Sequence, residues 1–354
     1  MTASQKKMVH ARDSAAIRVA RVLCIFFMMS VHLPGAYSAS FITQGDGAII
    51  GEIWLNFFGR ASVAVLSLVS GFLLFGSLEK SRPMQILRDR LRVLVLPMIT
   101  WNLITLVLIF GATVVGVQVG LEFPAWTFPD MTNALTGVLA DSINLPLDFL
   151  RDLFVSSALL ALLWRFIRRH LWVVFGIVLL LTVFTLTAPV VFRPTILLFM
   201  VAGCLLRANH IQLGTMAMPK PLICGLLGSG IVYLICHFMG MQDGPIAEIE
   251  NLAKRVIMTF AMIAVTVAIG GNNKVQTFLE RFEPVAFLAY LSHVILAKVI
   301  WVVMSAAGLT MMAPSYLIYF FTAPTLIFVI ALGLRSVIDT MPAPLPVLLK
   351  GKKP

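Results

Sequence analysis

Charged residues are scarce in this 354-residue chain. They make up 12% of the sequence, and 16 residues are Asp or Glu against 27 Lys and Arg. Average soluble domains carry about 25% charged residues, so the composition excludes a soluble enzyme. Hydrophobic residues make up 59%, mean hydropathy is +0.95, and a membrane-spanning helix needs about 20 apolar residues. We therefore expect an all-α polytopic membrane protein of about ten transmembrane helices, with a single domain over residues 1–354.

Cysteine is rare, and the common nucleotide-binding motifs are missing. Cys24, Cys204, Cys224 and Cys236 lie in apolar stretches, without a CxxC pair or a histidine at metal-ligand spacing. This pattern argues against a disulfide framework and against a metal site. The sequence contains no Walker loop, dinucleotide fingerprint or internal repeat. We expect neither a bound metal nor a permanently bound cofactor.

Ten apolar stretches predict the transmembrane helices. The sixth stretch is short and begins at Pro194, so it is either a complete span or half of a re-entrant hairpin formed with the fifth. The predicted spans cover residues 17–37, 53–77, 93–117, 147–164, 171–188, 194–206, 221–240, 256–271, 284–306 and 315–334.

Lys and Arg are distributed unevenly among the segments between these spans. Nineteen lie in the two tails and in alternate gaps, whereas the other gaps hold only Arg193, Lys254 and Arg255. Because cytoplasmic segments are enriched in positive charge, both termini are predicted to be cytoplasmic, with short tails at 1–16 and 335–354. The net charge of +11 is therefore a topology signal, and we expect no nucleic-acid partner.

Five basic residues lie within or at the edge of predicted spans: Arg18, Arg21, Arg60, Arg151 and Lys298. A charge at membrane depth costs about 2.5–3.5 kcal/mol or more, so each is a candidate functional residue. Structural explanations also exist. Arg18 can extend to the lipid headgroups, Arg151 can pair with Asp148 or Asp152, and Lys298 either lines a cavity or has a partner distant in sequence.

Arg21 and His32 stand out because they share one face of the first predicted helix. They are eleven residues apart, which is about 20° beyond three full turns and a rise of about 16 Å. Imidazole has an unperturbed pKa suited to a general base near neutral pH. The alternative is a histidine that only forms a hydrogen bond between helices. His293, in the segment that begins at Tyr290, is a second candidate with the same two interpretations.

Several motifs resemble those of the membrane acyltransferase-3 family, which transfers acyl groups to extracytoplasmic carbohydrates. A basic residue, ten intervening positions and a histidine correspond to Arg21 and His32. An arginine followed by Ser-Gly-Phe corresponds to Arg60 and residues 70–72. A basic run that ends in proline, an acidic Phe-Leu-Arg-Asp-Leu stretch and a late Tyr-Leu-x-His follow in the family's order, at residues 88–97, 148–153 and 290–293. Two departures are Arg90-x-Arg92 in place of Arg-x-x-Arg, and Asp148 in place of tryptophan.

The resemblance implies a bacterial inner-membrane enzyme that moves an acetyl or succinyl group from cytoplasmic acyl-CoA to a polysaccharide or lipid-linked oligosaccharide. His32 would be the general base, and Arg60 would hold the acyl donor or the developing oxyanion. The predicted acyl-CoA ligands are Arg18, Arg21, Arg88, Arg90 and Arg92. Further candidates for the pore or the acceptor site are Arg151, Asp152, Tyr290, His293 and Lys298.

A second class of function fits the same composition. A polytopic transporter or flippase of glycan intermediates would also place Arg21 and His32 along a substrate path. With either function, we expect the protein to be surrounded by membrane lipid. Many transporters contain inverted repeats and paired broken helices. The sequence shows neither feature, which favours the acyltransferase.

Overall fold

The structure is a computed structural model that describes residues 3–39, 47–116, 123–184, 193–215, 231 and 244–351. Within these residues every regular element is helical. The α-helices are α1 (Ala3–Val31), α2 (Gly47–Gly51), α3 (Arg60–Lys80), α4 (Pro83–Arg90), α5 (Leu96–Val114), α6 (Phe128–Thr136), α7 (Asp148–Ile167), α8 (Leu171–Val183), α9 (Pro194–Ala208), α10 (Gly244–Gly270), α11 (Asn273–Glu280), α12 (Glu283–Ala306), α13 (Tyr316–Asp339) and α14 (Leu345–Lys350). π-Helical turns at Glu52–Gly59 and Leu91–Val95 join α2 to α3 and α4 to α5, and 3-10 turns lie at Leu145–Leu147 and Leu213–Thr215.

Long apolar helices confirm the prediction of an all-helical polytopic membrane protein. In the described part of the chain, six are long and apolar enough to cross a bilayer: Asp13–Val31, Ile49–Lys80, Pro83–Val114, Glu248–Gly270, Glu283–Ala306 and Tyr316–Asp339. The fifth and sixth predicted spans correspond to α8 and α9, which are shorter. At 1.5 Å per residue, the 15 residues of α9 extend about 22 Å, less than the hydrocarbon thickness of about 30 Å. The predicted span 221–240 lies outside the described residues.

The first predicted span ends earlier than residue 37. Helix α1 stops at Val31, and residues 32–38 form turns. Pro34 explains the difference, because proline has no backbone N–H and disfavours helical geometry at the residue before it. His32 therefore lies immediately after the helix, with its backbone N–H bonded to the carbonyl of Met29 at 3.0 Å. The prediction that His32 lies within a continuous helix was wrong.

Both predicted tails contain helix. Helix α1 already begins at Ala3, and α13 continues to Asp339 before the short helix α14. The indole N–H of Trp101 on α5 donates a hydrogen bond of 3.0 Å to the carbonyl of Leu349. The segment after residue 334 is thus folded against the helical bundle.

Helices α3 and α9 cross at very short range through two glycines. A Cβ atom added to Gly71 would stand 2.0 Å from the carbonyl oxygen of Met200, and one added to Gly203 would stand 2.0 Å from that of Leu68. Small residues permit such close approach between membrane helices. The Cys204 thiol lies 3.3 Å from the Gly71 carbonyl oxygen, so this cysteine packs as a small residue in the crossing.

Candidate active site

Two helices from opposite ends of the sequence form the frame of the candidate site. On one side, the Arg21 guanidinium of α1 and the Glu283 carboxylate of α12 form an ion pair of 2.9 Å. His32 follows Arg21 by eleven residues, and His293 follows Glu283 by ten. The rings of these two histidines also lie close together, with their centroids 5.7 Å apart. At 1.5 Å per residue, the two contacts are separated by about 16 Å along α1 and about 15 Å along α12. Because these separations are nearly equal, α1 and α12 run side by side in the same direction.

A cavity of about 370 Å³ lies between these two contacts. From α1 it is lined by Arg21, Ile25 and Met28, which lie on one face at successive turns. From α12 it is lined by Glu283 and then by residues up to Tyr290. The cavity therefore extends from a charged end towards the histidines. We call the charged end the mouth; its residues are Arg21, Arg90, Glu283, Arg335, Asp339 and Lys350.

The predicted basic run contributes one arginine to the mouth. Arg90 is half-buried and lines the cavity, whereas Arg88 and Arg92 are exposed and lie outside the lining. The helix that continues through α4 and the following π-helical turn explains this, because neighbouring positions point in different directions around the axis. Within the described residues Arg90 forms no ion pair with a carboxylate, so the mouth carries a cation available to an anionic ligand.

Tyr290 fixes the second histidine of the pair. The buried Nδ1 of His293 contacts the carbonyl oxygen of Tyr290, and the two rings stack at 5.6 Å. Tyr290 is itself held by a hydrogen bond from its hydroxyl to the carbonyl of Pro146. Because a carbonyl only accepts, Nδ1 carries the proton in the neutral ring, and Nε2 has a free lone pair. Nε2 has no hydrogen-bond partner in the described structure, and the half-buried His32 ring is its neighbour.

A buried charge cluster at the start of α7 lies beside the histidine pair. The Arg151 guanidinium is 2.8 Å from an Asp152 oxygen and 3.6 Å from Asp148, so the ion pair anticipated as a structural explanation is present. Asp148 also accepts the backbone N–H of Ser142 at 3.2 Å. Gly137 completes the cluster because its φ of +62° and the closeness of Arg151 and Asp148 leave no room for a Cβ atom.

Arg193 lies close both to this charge cluster and to the histidine pair. Its Nε is 3.8 Å from Asp152 Oδ2, and its charge acts on both His32 and Tyr290. Sequence reasoning placed Arg193 among the outer loop cations and missed this proximity, because nothing in the local sequence links position 193 to position 32. Arg335, Asp339 and Lys350 were missed for the same reason.

Three other candidates lie outside the cavity lining. Arg60, the first residue of α3, is exposed, and its charge acts on Arg255 of α10. Arg18 forms an ion pair of 2.8 Å with Glu280 of α11. Lys298 is half-buried further along α12. The structure brings Arg21, Arg90 and Tyr290 into the lining of one cavity. His293 and His32 lie outside this lining, next to Tyr290, and Arg18, Arg60 and Lys298 lie apart from it.

Comparisons with known proteins give the reaction class. The family model described as an acyltransferase domain, that of acyltransferase 3, matches residues 14–333. The chain is similar to the succinoglycan biosynthesis protein ExoH of Rhizobium meliloti (strain 1021), with 24% identity over 97% of this chain and 93% of the relative. No solved structure matches the chain. The match covers most of the sequence and shows that the chain, a bundle of long apolar helices, belongs to the acyltransferase-3 family of membrane acyltransferases.

Proposed function

We propose that the protein moves an acetyl or succinyl group from cytoplasmic acyl-CoA to a hydroxyl of an extracytoplasmic or lipid-linked polysaccharide, with His32 as general base. The observation that carries the proposal is the cavity between α1 and α12, which extends from a basic mouth towards the His32–His293 pair. An enzyme that transfers an acyl group from cytoplasmic acyl-CoA to an acceptor outside the cytoplasm needs a path into the membrane for the acyl-carrying end of the donor. The family match supplies the reaction class, and the cavity suggests where it occurs.

Acyl-CoA enters with its phosphates at the mouth and its thioester towards the histidines. Guanidinium groups bind phosphate oxygens in pairs, and Arg21 and Arg90 both line the mouth. Exposed Arg88 and Arg92 add long-range attraction for the anionic molecule. The apolar lining formed by Ile25 and other side chains accommodates the arm that carries the thioester.

His32 takes the proton of a sugar hydroxyl as that oxygen attacks the thioester carbonyl. The carbon–sulfur bond then breaks, the new ester forms, and CoA leaves as the thiol after it receives the proton. The free Nε2 lone pair of His293 stabilises the His32 imidazolium during this step. Arg193 takes the oxyanion role predicted for Arg60, because its charge acts on His32, whereas the charge of Arg60 acts on Arg255.

The acceptor and the membrane topology rest on other observations than the cavity. The name of the similar protein, a succinoglycan biosynthesis protein, favours a polysaccharide acceptor and is compatible with succinyl transfer. Arg193 and Arg255 supply cations that suit the second carboxylate of a succinyl group. The distribution of Lys and Arg supports ten spans in a bacterial inner membrane with both termini cytoplasmic.

The test compares surface polysaccharide from cells with and without the gene, by mass analysis of acetyl and succinyl substituents. Purified protein is then incubated with labelled succinyl-CoA or acetyl-CoA and deacylated polysaccharide. We expect labelled ester with wild-type protein and none with His32→Ala, while His170→Ala, a change at an exposed histidine, retains transfer. A transporter would give no CoA-dependent label, and full transfer by His32→Ala would exclude His32 as the base.

A further inference from the structure

The segment that follows the family-matched region contributes two cations to the mouth. The match ends at residue 333, yet Arg335 and Asp339 of α13 and Lys350 of α14 all line the cavity. From its charge alone, this segment was predicted to be a cytoplasmic tail that sets topology. Because Arg335, Asp339 and Lys350 line the cavity, they are also candidates for ligand binding.

Two contacts hold the segment at the mouth, and two ion pairs within it link its charged residues. The Trp101 indole donates to the Leu349 carbonyl at 3.0 Å. Gly351 has a φ of +69°, and a Cβ atom added there would stand 2.8 Å from the carbonyl oxygen of Val93, which itself lines the cavity. Asp339 pairs with Lys350 and, at 3.4 Å, with Arg335. The two cations are thus positioned by one carboxylate on a segment that packs against the cavity wall.

The charges of the mouth are not balanced. Its cations are Arg21, Arg90, Arg335 and Lys350, and its anions are Glu283 and Asp339. Among the lining residues that the structure describes, four cations stand against two carboxylates, in a partly enclosed site next to membrane helices. An excess of this sign at one end of an otherwise apolar cavity suits a ligand with several phosphate charges and a long uncharged arm.

We infer that Arg335 and Lys350, held by Asp339, form a second phosphate-binding pair that completes the acyl-CoA site from beyond the family-matched region. This inference rests on the proposed function. The C-terminal segment is then a part of the substrate site. It binds CoA phosphates opposite Arg21 and Arg90, and Asp339 is a positioning residue that holds both cations in place.

The test measures binding of CoA itself to the purified full-length protein by calorimetry. We expect Arg335→Gln and Lys350→Gln each to raise the Kd about tenfold, since a charge-assisted hydrogen bond contributes about that factor. Lys350→Arg, which keeps the charge, should stay within about twofold of wild type. The matched control is Lys80→Gln, which removes one exposed positive charge outside the cavity.

The outcomes separate this inference from the proposed function. If wild-type protein fails to bind CoA, the proposed function is wrong. If wild type binds CoA and both glutamine variants bind it equally well, the inference is overturned while the proposed function stands. Lys350 is largely buried and its replacement can impair folding, so the thermal unfolding of each variant is measured. If the Lys350 variant is destabilised, the result with Arg335→Gln decides the test, because the Arg335 side chain is 40% exposed.

Discussion

The imidazole rings of His32 and His293 lie 5.7 Å apart, although one follows the first helix and the other lies near the end of the chain. His293 is fully buried and its Nδ1 is held by the Tyr290 carbonyl, whereas His32 is half-buried. The pair therefore has unequal members. One histidine is fully buried and fixed in position, with no hydrogen-bond partner for Nε2 among the described residues, and the other is partly exposed.

Replacing His293 tests whether it assists His32 in acyl transfer. We expect His293→Leu, which keeps much of the buried volume, to lower kcat for acyl transfer about tenfold or more, because the neutral neighbour of the base is lost. The KM for acyl-CoA should stay near wild type. Ser292→Ala is the matched control: Ser292 is buried next to it, but its hydroxyl donates to the Leu288 carbonyl of its own helix at 2.9 Å. Equal kcat values for the two variants would contradict the pairing.

Arg21 and Arg18 form a natural comparison near the middle of the same helix. Their ion pairs, with Glu283 and Glu280, measure 2.9 and 2.8 Å, and the arginines are 41% and 39% exposed. Only Arg21 of these two lines the cavity. We expect Arg21→Gln to raise the KM for acyl-CoA about tenfold, and Arg18→Gln to change it much less. Steady-state kinetics at varied acyl-CoA concentrations measure the KM of each variant. Similar KM values for the two variants would contradict a role for Arg21 in acyl-CoA binding.

The arginine run on α4 and the π-helical turn after it gives a further kinetic prediction. Arg90 lines the cavity without an ion pair among the described residues, whereas Arg88 and Arg92 are exposed. We expect Arg90→Gln to raise the KM for acyl-CoA about tenfold, since the proposed role of Arg90 is a direct contact with phosphate. The same change at Arg92 should have a smaller effect that disappears in high salt, because it acts at long range. A larger effect at Arg92 than at Arg90 would contradict this assignment.

Glu280 makes the contact between α1 and α11 sensitive to acid. The Gln276 amide and then Arg18 donate hydrogen bonds that lower the pKa of the Glu280 carboxyl below its usual value. A carboxyl with a lower pKa in the folded state stabilises it at neutral pH, and this contribution is lost as the pH falls through the folded-state pKa. We expect the melting temperature of wild type to fall more steeply in acid than that of Glu280→Gln. Parallel curves for the two proteins would contradict the prediction.

Sequence periodicity and charge were enough to predict the class of fold, because the apolar stretches predicted membrane helices. The eleven-residue spacing predicted that Arg21 and His32 share one side of the first helix, but His32 follows the end of α1. The cavity follows that side through Ile25 and Met28. These features are local, because they depend on the regular geometry of one helix. The family resemblance drawn from short motifs is confirmed by the match over residues 14–333.

Contacts between distant segments could not be predicted in this way. Arg193 approaches Asp152 only because the start of α9 packs near the start of α7, and Lys350 reaches the mouth only because α14 folds against α5. A positive charge in a gap between spans looks the same in sequence whether it sets topology or binds a ligand. The end of α1 was misplaced for another reason: hydropathy continues past Val31, while the backbone restriction imposed by Pro34 ends the helix.

The crossing of α3 and α9 gives a stability prediction with a control on the same helix. A methyl group at Gly71 would stand 2.0 Å from the Met200 carbonyl oxygen, which is backbone and cannot rotate away. We expect Gly71→Ala to force the helices apart and to lower the melting temperature of the detergent-solubilised protein, at a cost of about 1–3 kcal/mol. Gly76→Ala, on the same helix with no atom within 4 Å of the added carbon, should match or exceed wild type. Because the crossing positions Ser70 in the cavity wall, Gly71→Ala should also reduce acyl transfer, whereas Gly76→Ala should not. Equal melting temperatures for the two variants would mean that the helices do not meet at this distance.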